Sequence, residues 1–210
     1  MRFADLDAVT VDGFGTLVRL TDPVPRLAQA LKGQGAEIAA DIVREAFAAE
    51  VAYYRPNAVS GRDPESLSAL RLRCTRIFLE AAGAALEGSS FVDPFMSSLV
   101  FEPMPVAIET LSALRARGLE LAVVSNWDIG LTQHLERIGV SGLFSSIVTS
   151  AEAGAAKPDP AIFRLALERL RVEPGRALNI GDEPEDEAGA RAAGMGFAHA
   201  PLEAAFEGWS

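Results

Sequence analysis

The chain has 210 residues, more than the usual ~150-residue domain, so its length fits one domain with a large insert or two small ones. Acidic residues number 29 against 19 Lys plus Arg, a net charge of −10 with a pI near 4.7, which argues against nucleic acid or an anionic membrane as the main partner because a phosphate backbone needs a basic face. A hydrophobic content of 49% excludes a disordered chain, the single cysteine Cys74 excludes an internal disulfide, and His134 and His199 alone beside it are too few for a zinc site.

The N-terminal Met1-Arg2-Phe3-Ala4-Asp5 carries an acid where a signal peptide would be apolar, and no apolar run approaches the ~18 residues of a membrane span, so a cytoplasmic protein is expected. The first strand is Ala8-Val9-Thr10-Val11, a short β-branched run stopped by Asp12-Gly13. From Pro23 to about Leu99 the pattern is helical throughout. Ile38, Ile42, Val43, Phe47, Val51 and Tyr54 recur at helical spacing, which predicts one apolar face on a helix ended by Pro56. Asp63-Pro64-Glu65 reads as an N-cap followed by proline in the first turn, and Leu67, Leu70, Cys74, Ile77, Phe78 and Ala81 then form a stripe up to Gly83. This stretch is expected to be a small helical bundle inserted after the first strand, serving as a lid over the active edge of a sheet.

After Glu102 short apolar runs alternate with amphipathic segments. The predicted strands are 120–125, 146–150, 177–181 and 196–199, and the predicted helices lie near 106–117, 131–138, 161–170 and 185–193. Alternation of this kind predicts an α/β fold, a Rossmann-like parallel sheet with helices on both faces. In such sheets ligands bind beyond the carboxyl ends of the strands, and each run here ends in polar residues: Asp12, Ser125-Asn126, Thr149-Ser150 and Asp182.

Read singly, these residues have plain structural uses. Asp12-Gly13 makes a turn, Ser125-Asn126 an N-cap, Lys157-Pro158-Asp159-Pro160 a helix start with a solvated lysine, and the acids from Asp182 to Glu187 a solvated surface. Carboxylates that converge in a cleft are another matter, since like charges ~5 Å apart repel by roughly 3 kcal/mol at an effective dielectric of ~20. If Asp12 and Asp182 meet at one edge, a hard divalent cation such as Mg²⁺ resolves the conflict.

Taken together the four sites resemble the four motifs of the haloacid dehalogenase-like hydrolase superfamily. Asp12-Gly13-Phe14-Gly15-Thr16-Leu17 is similar to its first motif, Ser125 to the second, Lys157 to the third, and Gly181-Asp182 with Asp186 to the fourth, followed by Ala188-Gly189-Ala190-Arg191-Ala192-Ala193-Gly194. The resemblance implies a core of residues 1–19 and 101–210 and a helical cap of residues 20–100. It implies a phosphatase acting on small phosphorylated metabolites, in which Asp12 attacks phosphorus and forms an aspartyl-phosphate. It further implies that Ser125, Asn126 and Lys157 meet the phosphoryl group, that Asp12, Asp182 and the backbone carbonyl of Phe14 hold Mg²⁺, and that Asp186 supports the site from behind.

Phe14 departs from the pattern. Family phosphatases carry there the Asp that protonates the leaving group and activates water, help worth ~10²–10⁴ in rate. Its loss is expected to hurt esters with poor leaving groups most and acyl or aryl phosphates least. Two alternatives stand beside the phosphatase: a protein that keeps the pocket only to bind phosphate, and a metal-free 2-haloacid dehalogenase, which carries an aromatic Tyr at this position but lacks the Gly-Asp of the fourth motif. Asp128 is a candidate substitute acid, with a helix cap as its plain alternative. The Mg²⁺-dependent phosphatase reading requires the scattered residues to gather at one pole of the sheet around an ion, with no salt link plugging the cavity.

Overall fold

The computed structural model describes residues 3–206. In chain order it runs β1 (Ala8–Val11), β2 (Val18–Leu20), α1 (Val24–Gly33), α2 (Ala40–Asn57), α3 (Pro64–Ala81), α4 (Gly88–Ser98) and β3 (Phe101–Pro103). Strands and helices then alternate as α5 (Ala107–Ala116), β4 (Glu120–Ser125), α6 (Leu131–Arg137), β5 (Ser146–Thr149), α7 (Ser150–Ala153), α8 (Ala161–Leu170), β6 (Ala177–Gly181), α9 (Pro184–Ala192) and β7 (Gly196–His199). The chain divides into two compact units, Met1–Arg19 with Glu102–Ser210, and Leu20–Phe101. Strands β2 and β3 pair with each other where the chain passes between the units.

The first unit is built on a five-stranded sheet in the order β5-β4-β1-β6-β7, every pairing parallel. Every residue of β1 and β6 is buried, as in strands covered on both faces, and their two polar members, Thr10 and Asn179, are hydrogen-bonded to each other at 2.7 Å. Helix α8 packs on β4 and β5, and α9 on β6 and β7. Ile162, Phe163 and Leu167 of α8 press on Val124 and Val148, while Ala8, Ala122, Ala177 and Ala190 are small enough to let helix and sheet approach closely. β1 lies at the centre, with Val11 level with Val123 of β4 and Ile180 of β6. The residues that follow these three strands therefore emerge together, at the point where the chain winds outward in both directions.

The second unit is a helical bundle around Phe78, which stacks on Phe91 at 6.2 Å between ring centroids and lies tilted against Phe95 at 5.1 Å. Asp63 caps α3 as its sequence indicates, accepting the Ser66 N–H at 2.8 Å, while the Ser66 hydroxyl accepts from the Asp63 N–H at 3.1 Å.

Three expectations from the sequence need correction. The buried face of α2 is Val43, Ala46 and Glu50; Phe47, and Ile38 just ahead of the helix, pack against the same core, and of the expected face only Ile42 is exposed, at 42%. Steps of three and four residues from Val43 lead to Ala46 and Glu50, so the true stripe runs through a carboxylate that an apolar count passes over. Pro56 does not end α2; it sits in the last turn, where only one ladder bond is lost, and the Asn57 side chain donates to the Tyr53 carbonyl at 2.8 Å. Finally, β5 stops at Thr149 rather than Ser150, because the Thr149 hydroxyl accepts the Glu152 N–H at 3.2 Å and starts α7. Among the described residues no helix is long and apolar enough to cross a membrane.

Candidate active site

Asp12 leaves the end of the central strand with its backbone N–H still bonded to the Ile180 carbonyl at 2.8 Å, so its position is set by the sheet itself. The chain then turns tightly: the Gly13 carbonyl accepts from Leu17 and Val18, and Gly15 donates to the Val18 carbonyl at 2.9 Å. Gly15 has φ +92°, which L side chains rarely adopt, and a Cβ there would fall on the Asp182 carboxylate. A Cβ on Gly13 would come within 2.6 Å of the Ser125 hydroxyl. The two glycines thus let the turn lie against residues delivered by β4 and β6. Phe14, between them, is 51% exposed.

Lys157 is the hub of the cluster. Its ammonium is buried and makes ion pairs with Asp12 and, at 2.5 Å, with Asp186 of α9. Asn126, the residue after Ser125, holds the lysine backbone from both sides, accepting its N–H at 2.7 Å and donating to its carbonyl at 3.2 Å. Asn126 is therefore a positioning residue for Lys157 as well as a neighbour of the cluster. The Ser125 hydroxyl reaches the same Asp12 oxygen, Oδ1, at 3.5 Å. Burial pushes the Asp12 carboxyl up to about 6 despite the Lys157 ammonium beside it, with Asp186 adding to the rise. Burial also works against the Lys157 charge, but the two carboxylates outweigh it and hold the lysine above its ordinary value.

Asp182, at the end of β6, is exposed, and its Oδ1 accepts the Thr16 hydroxyl at 3.0 Å. Oxygens of Asp12, Asp182 and Asp186 all lie within 4.8 Å of one another, a spacing that could hold a metal ion. The salt link does not use up the acids. It engages Oδ1 of Asp12 and Oδ1 of Asp186, while Asp182 has no part in it. Three carboxylates against one ammonium leave two negative charges uncompensated, and an all-oxygen donor set of that charge suits a hard divalent cation.

The structure thus gathers Asp12, Ser125, Asn126, Lys157, Asp182 and Asp186 at one end of the sheet, with Phe14 in the adjoining turn. Thr16 was not singled out by sequence reasoning; its signal was its place in the same short motif as Asp12. Asp128 is buried and accepts the Gly130 N–H at 2.7 Å, a local turn ahead of α6. Thr149 and Ser150 serve the backbone, Ser150 donating to the Trp127 carbonyl at 3.1 Å.

The family description "haloacid dehalogenase-like hydrolase" matches residues 6–194. Among curated relatives, "Haloacid dehalogenase-like hydrolase domain-containing protein 3" of Bos taurus is 45% identical over 102 residues, 48% of this chain and 41% of the relative. "Phosphoserine phosphatase" of Thermus thermophilus is 38% identical over 129 residues, 60% of this chain and 52% of the relative. The chain therefore spans about half the length of these relatives, or less. Among solved structures, L-2-haloacid dehalogenase from Xanthobacter autotrophicus is similar with a TM-score of 0.68 at 21% identity, over 93% of this chain and 77% of that one, which is a likeness of fold.

Proposed function

Because the chain belongs to the haloacid dehalogenase-like hydrolases, we propose that it is a Mg²⁺-dependent phosphatase of small phosphorylated metabolites that works through an aspartyl-phosphate on Asp12. The observation that supports this most is the treatment of the Asp12 carboxylate: Lys157 and Ser125 both take Oδ1, which orients the group and leaves Oδ2 for attack. The name of the phosphoserine phosphatase relative points the same way.

In this reading Lys157 and the Ser125 hydroxyl, with the Asn126 side chain fixing the lysine, bind the transferring phosphoryl oxygens and offset the charge that grows on them. Asp12, Asp182 and the Phe14 carbonyl would hold Mg²⁺, which would supply positive charge against the phosphoryl oxygens. Asp186 pairs with the same Lys157 ammonium as Asp12 and helps keep it charged. The helical unit Leu20–Phe101 serves as a cap that selects the substrate.

The test is phosphate release from a panel of phosphorylated metabolites by the full chain and by Asp12→Asn, with and without Mg²⁺. Turnover that needs both Asp12 and Mg²⁺ is expected, with Asp12→Asn slower by at least ~10³, the scale of losing a covalent nucleophile. Phosphate binding with no turnover would make the protein a phosphate binder. Halide release from 2-chloropropionate without metal would make it a dehalogenase.

A further inference from the structure

Three carboxylates make up the acidic cluster, and a cation fixes two of them. Asp12 Oδ1 receives the Lys157 ammonium and the Ser125 hydroxyl, while Asp186 receives the same ammonium and the Glu183 N–H. Asp182 has no share in these bonds. It is exposed, and among the described residues its side chain accepts from the Thr16 hydroxyl, at 3.0 Å, and from no other group. That donor is itself held firmly. Thr16 is 2% exposed and lies in the turn after β1, where the Gly13 carbonyl accepts from Leu17 at 3.0 Å and from Val18 at 2.8 Å, and the Leu17 carbonyl accepts the Met104 N–H at 2.9 Å. Its branched Cβ restricts χ1 further. The Gly15 backbone closes on the same carboxylate, for a Cβ there would come 2.3 Å from Asp182 Oδ2.

Resting on the Mg²⁺ reading above, we propose that Thr16 is a positioning residue for the metal: its hydroxyl holds the Asp182 carboxylate ready to join Asp12 around a divalent cation, and so sets how tightly that cation binds. An exposed aspartate left to itself samples several rotamers, and a ligand that must be ordered on binding lowers affinity. The hydroxyl removes that ordering cost without altering the charge of the cluster. It acts as the donor because an ionised carboxylate has no proton to give. It is also neutral, so the two negative charges left over from the Lys157 ammonium remain available to an ion. A lysine or arginine in its place would orient Asp182 as well but would cancel one of those two charges. The cluster therefore uses an ammonium to hold Asp12 and Asp186, and a neutral group to hold the one acid that faces solvent. Losing a partner that orients a metal ligand typically weakens metal binding by ~10–100-fold.

The experiment titrates MgCl2 by isothermal calorimetry into the full native chain, Thr16→Val, Thr16→Ala, Thr16→Ser and Asp182→Asn, and records the melting temperature of each in EDTA and in Mg²⁺. Thr16→Val and Thr16→Ala are expected to bind Mg²⁺ ~10–100-fold more weakly than the native chain, and Thr16→Ser, which keeps the hydroxyl, to bind it nearly as well. The Mg²⁺ concentration that half-activates release of 4-nitrophenolate from 4-nitrophenyl phosphate should rise by the same factor in Thr16→Val, while kcat at saturating Mg²⁺ and KM for the ester stay near native. In EDTA the native chain and Thr16→Val should melt together, because the Asp182 oxygen that is released turns to water; in subsaturating Mg²⁺ the native chain should melt higher. Unchanged Mg²⁺ affinity in both hydroxyl-free variants overturns the inference and leaves the metal reading standing. Failure of both to fold, or a drop in melting temperature that is as large in EDTA as in Mg²⁺, would make the hydroxyl a tether of the turn and overturn it equally. If the native chain takes up no Mg²⁺, or Asp182→Asn binds it as tightly as the native chain, the metal reading fails and the inference with it.

Discussion

Each unit buries a carboxylate on an element that its packing holds rigidly, yet the two are treated differently. In the α/β unit Asp12 is buried beside a buried ammonium, a serine hydroxyl and two further acids, in a cluster whose members come from the ends of three strands, a loop and a helix. In the helical unit Glu50 is buried on the inner face of α2 with the Cys74 thiol as its hydrogen-bond donor, in a bundle otherwise centred on Phe78, Phe91 and Phe95. Burial raises both, Asp12 to about 6 and Glu50 to about 7. The difference lies in what compensates the charge. A cation and a ring of polar groups offset the charge of Asp12, whereas a weakly polar thiol leaves Glu50 as a charge the unit bears at a cost in stability.

Removing the cation is the most severe way to break this contrast. Lys157→Met strands Asp12 and Asp186 as neighbouring buried carboxylates, and is expected to cost about 3–5 kcal/mol in urea denaturation measured without Mg²⁺, along with turnover. An unchanged denaturation midpoint would mean that the cluster is not held by its ion pairs.

The Glu50 side of the contrast is sharpened by pH. Its folded-state value of about 7 lies above the ordinary 4.5, so the unfolded chain gives up this proton first. The stability this group provides is therefore whole below about 4.5 and is lost as pH rises to and through about 7. Glu50→Gln should remove that slope and raise stability at alkaline pH by about 2–3 kcal/mol, with little change in acid. Parallel curves for the two proteins would show that Glu50 titrates normally.

The smallest effect concerns a neutral pair lying just beneath the site. Thr10, two residues before Asp12, donates to the Asn179 side chain at 2.7 Å across β1 and β6, and Asn179 Nδ2 has no partner among the described residues. Thr10→Val leaves the Asn179 carbonyl unpaired as well, a loss of about 1 kcal/mol by thermal unfolding. A neutral result would make this buried pair incidental to the β1–β6 register.

Much of the α/β unit was legible beforehand because parallel strands buried on both faces leave a plain mark, a short and mostly apolar run with a polar residue at or just after its end. β1, β4 and β6 begin and end where those runs do. The place of the site followed from the same rule, since the residues after such strands emerge together. Less was legible in the helical unit. The Val43, Ala46 and Glu50 stripe contains a carboxylate, and a reading that counts only large apolar residues finds Val43 and Phe47 but adds the exposed Ile42 and passes over Glu50. The short β2 and β3 strands carry no signal of their own, for each is three residues long and they meet across 80 intervening positions.

By itself, the order of residues determined which polar side chains follow the strands, because strand periodicity and motif spacing are local properties of the chain. Only the tertiary structure decided that Lys157 would bind Asp12 and Asp186 at once, that Asn126 would clasp the lysine backbone, and that Phe14 would stand half exposed beside them. Those facts depend on contacts between positions up to 145 residues apart, and on how far each group is withdrawn from water. Distances and desolvation of that kind are fixed when the sheet assembles, and they set the charge balance from which the proposed chemistry follows.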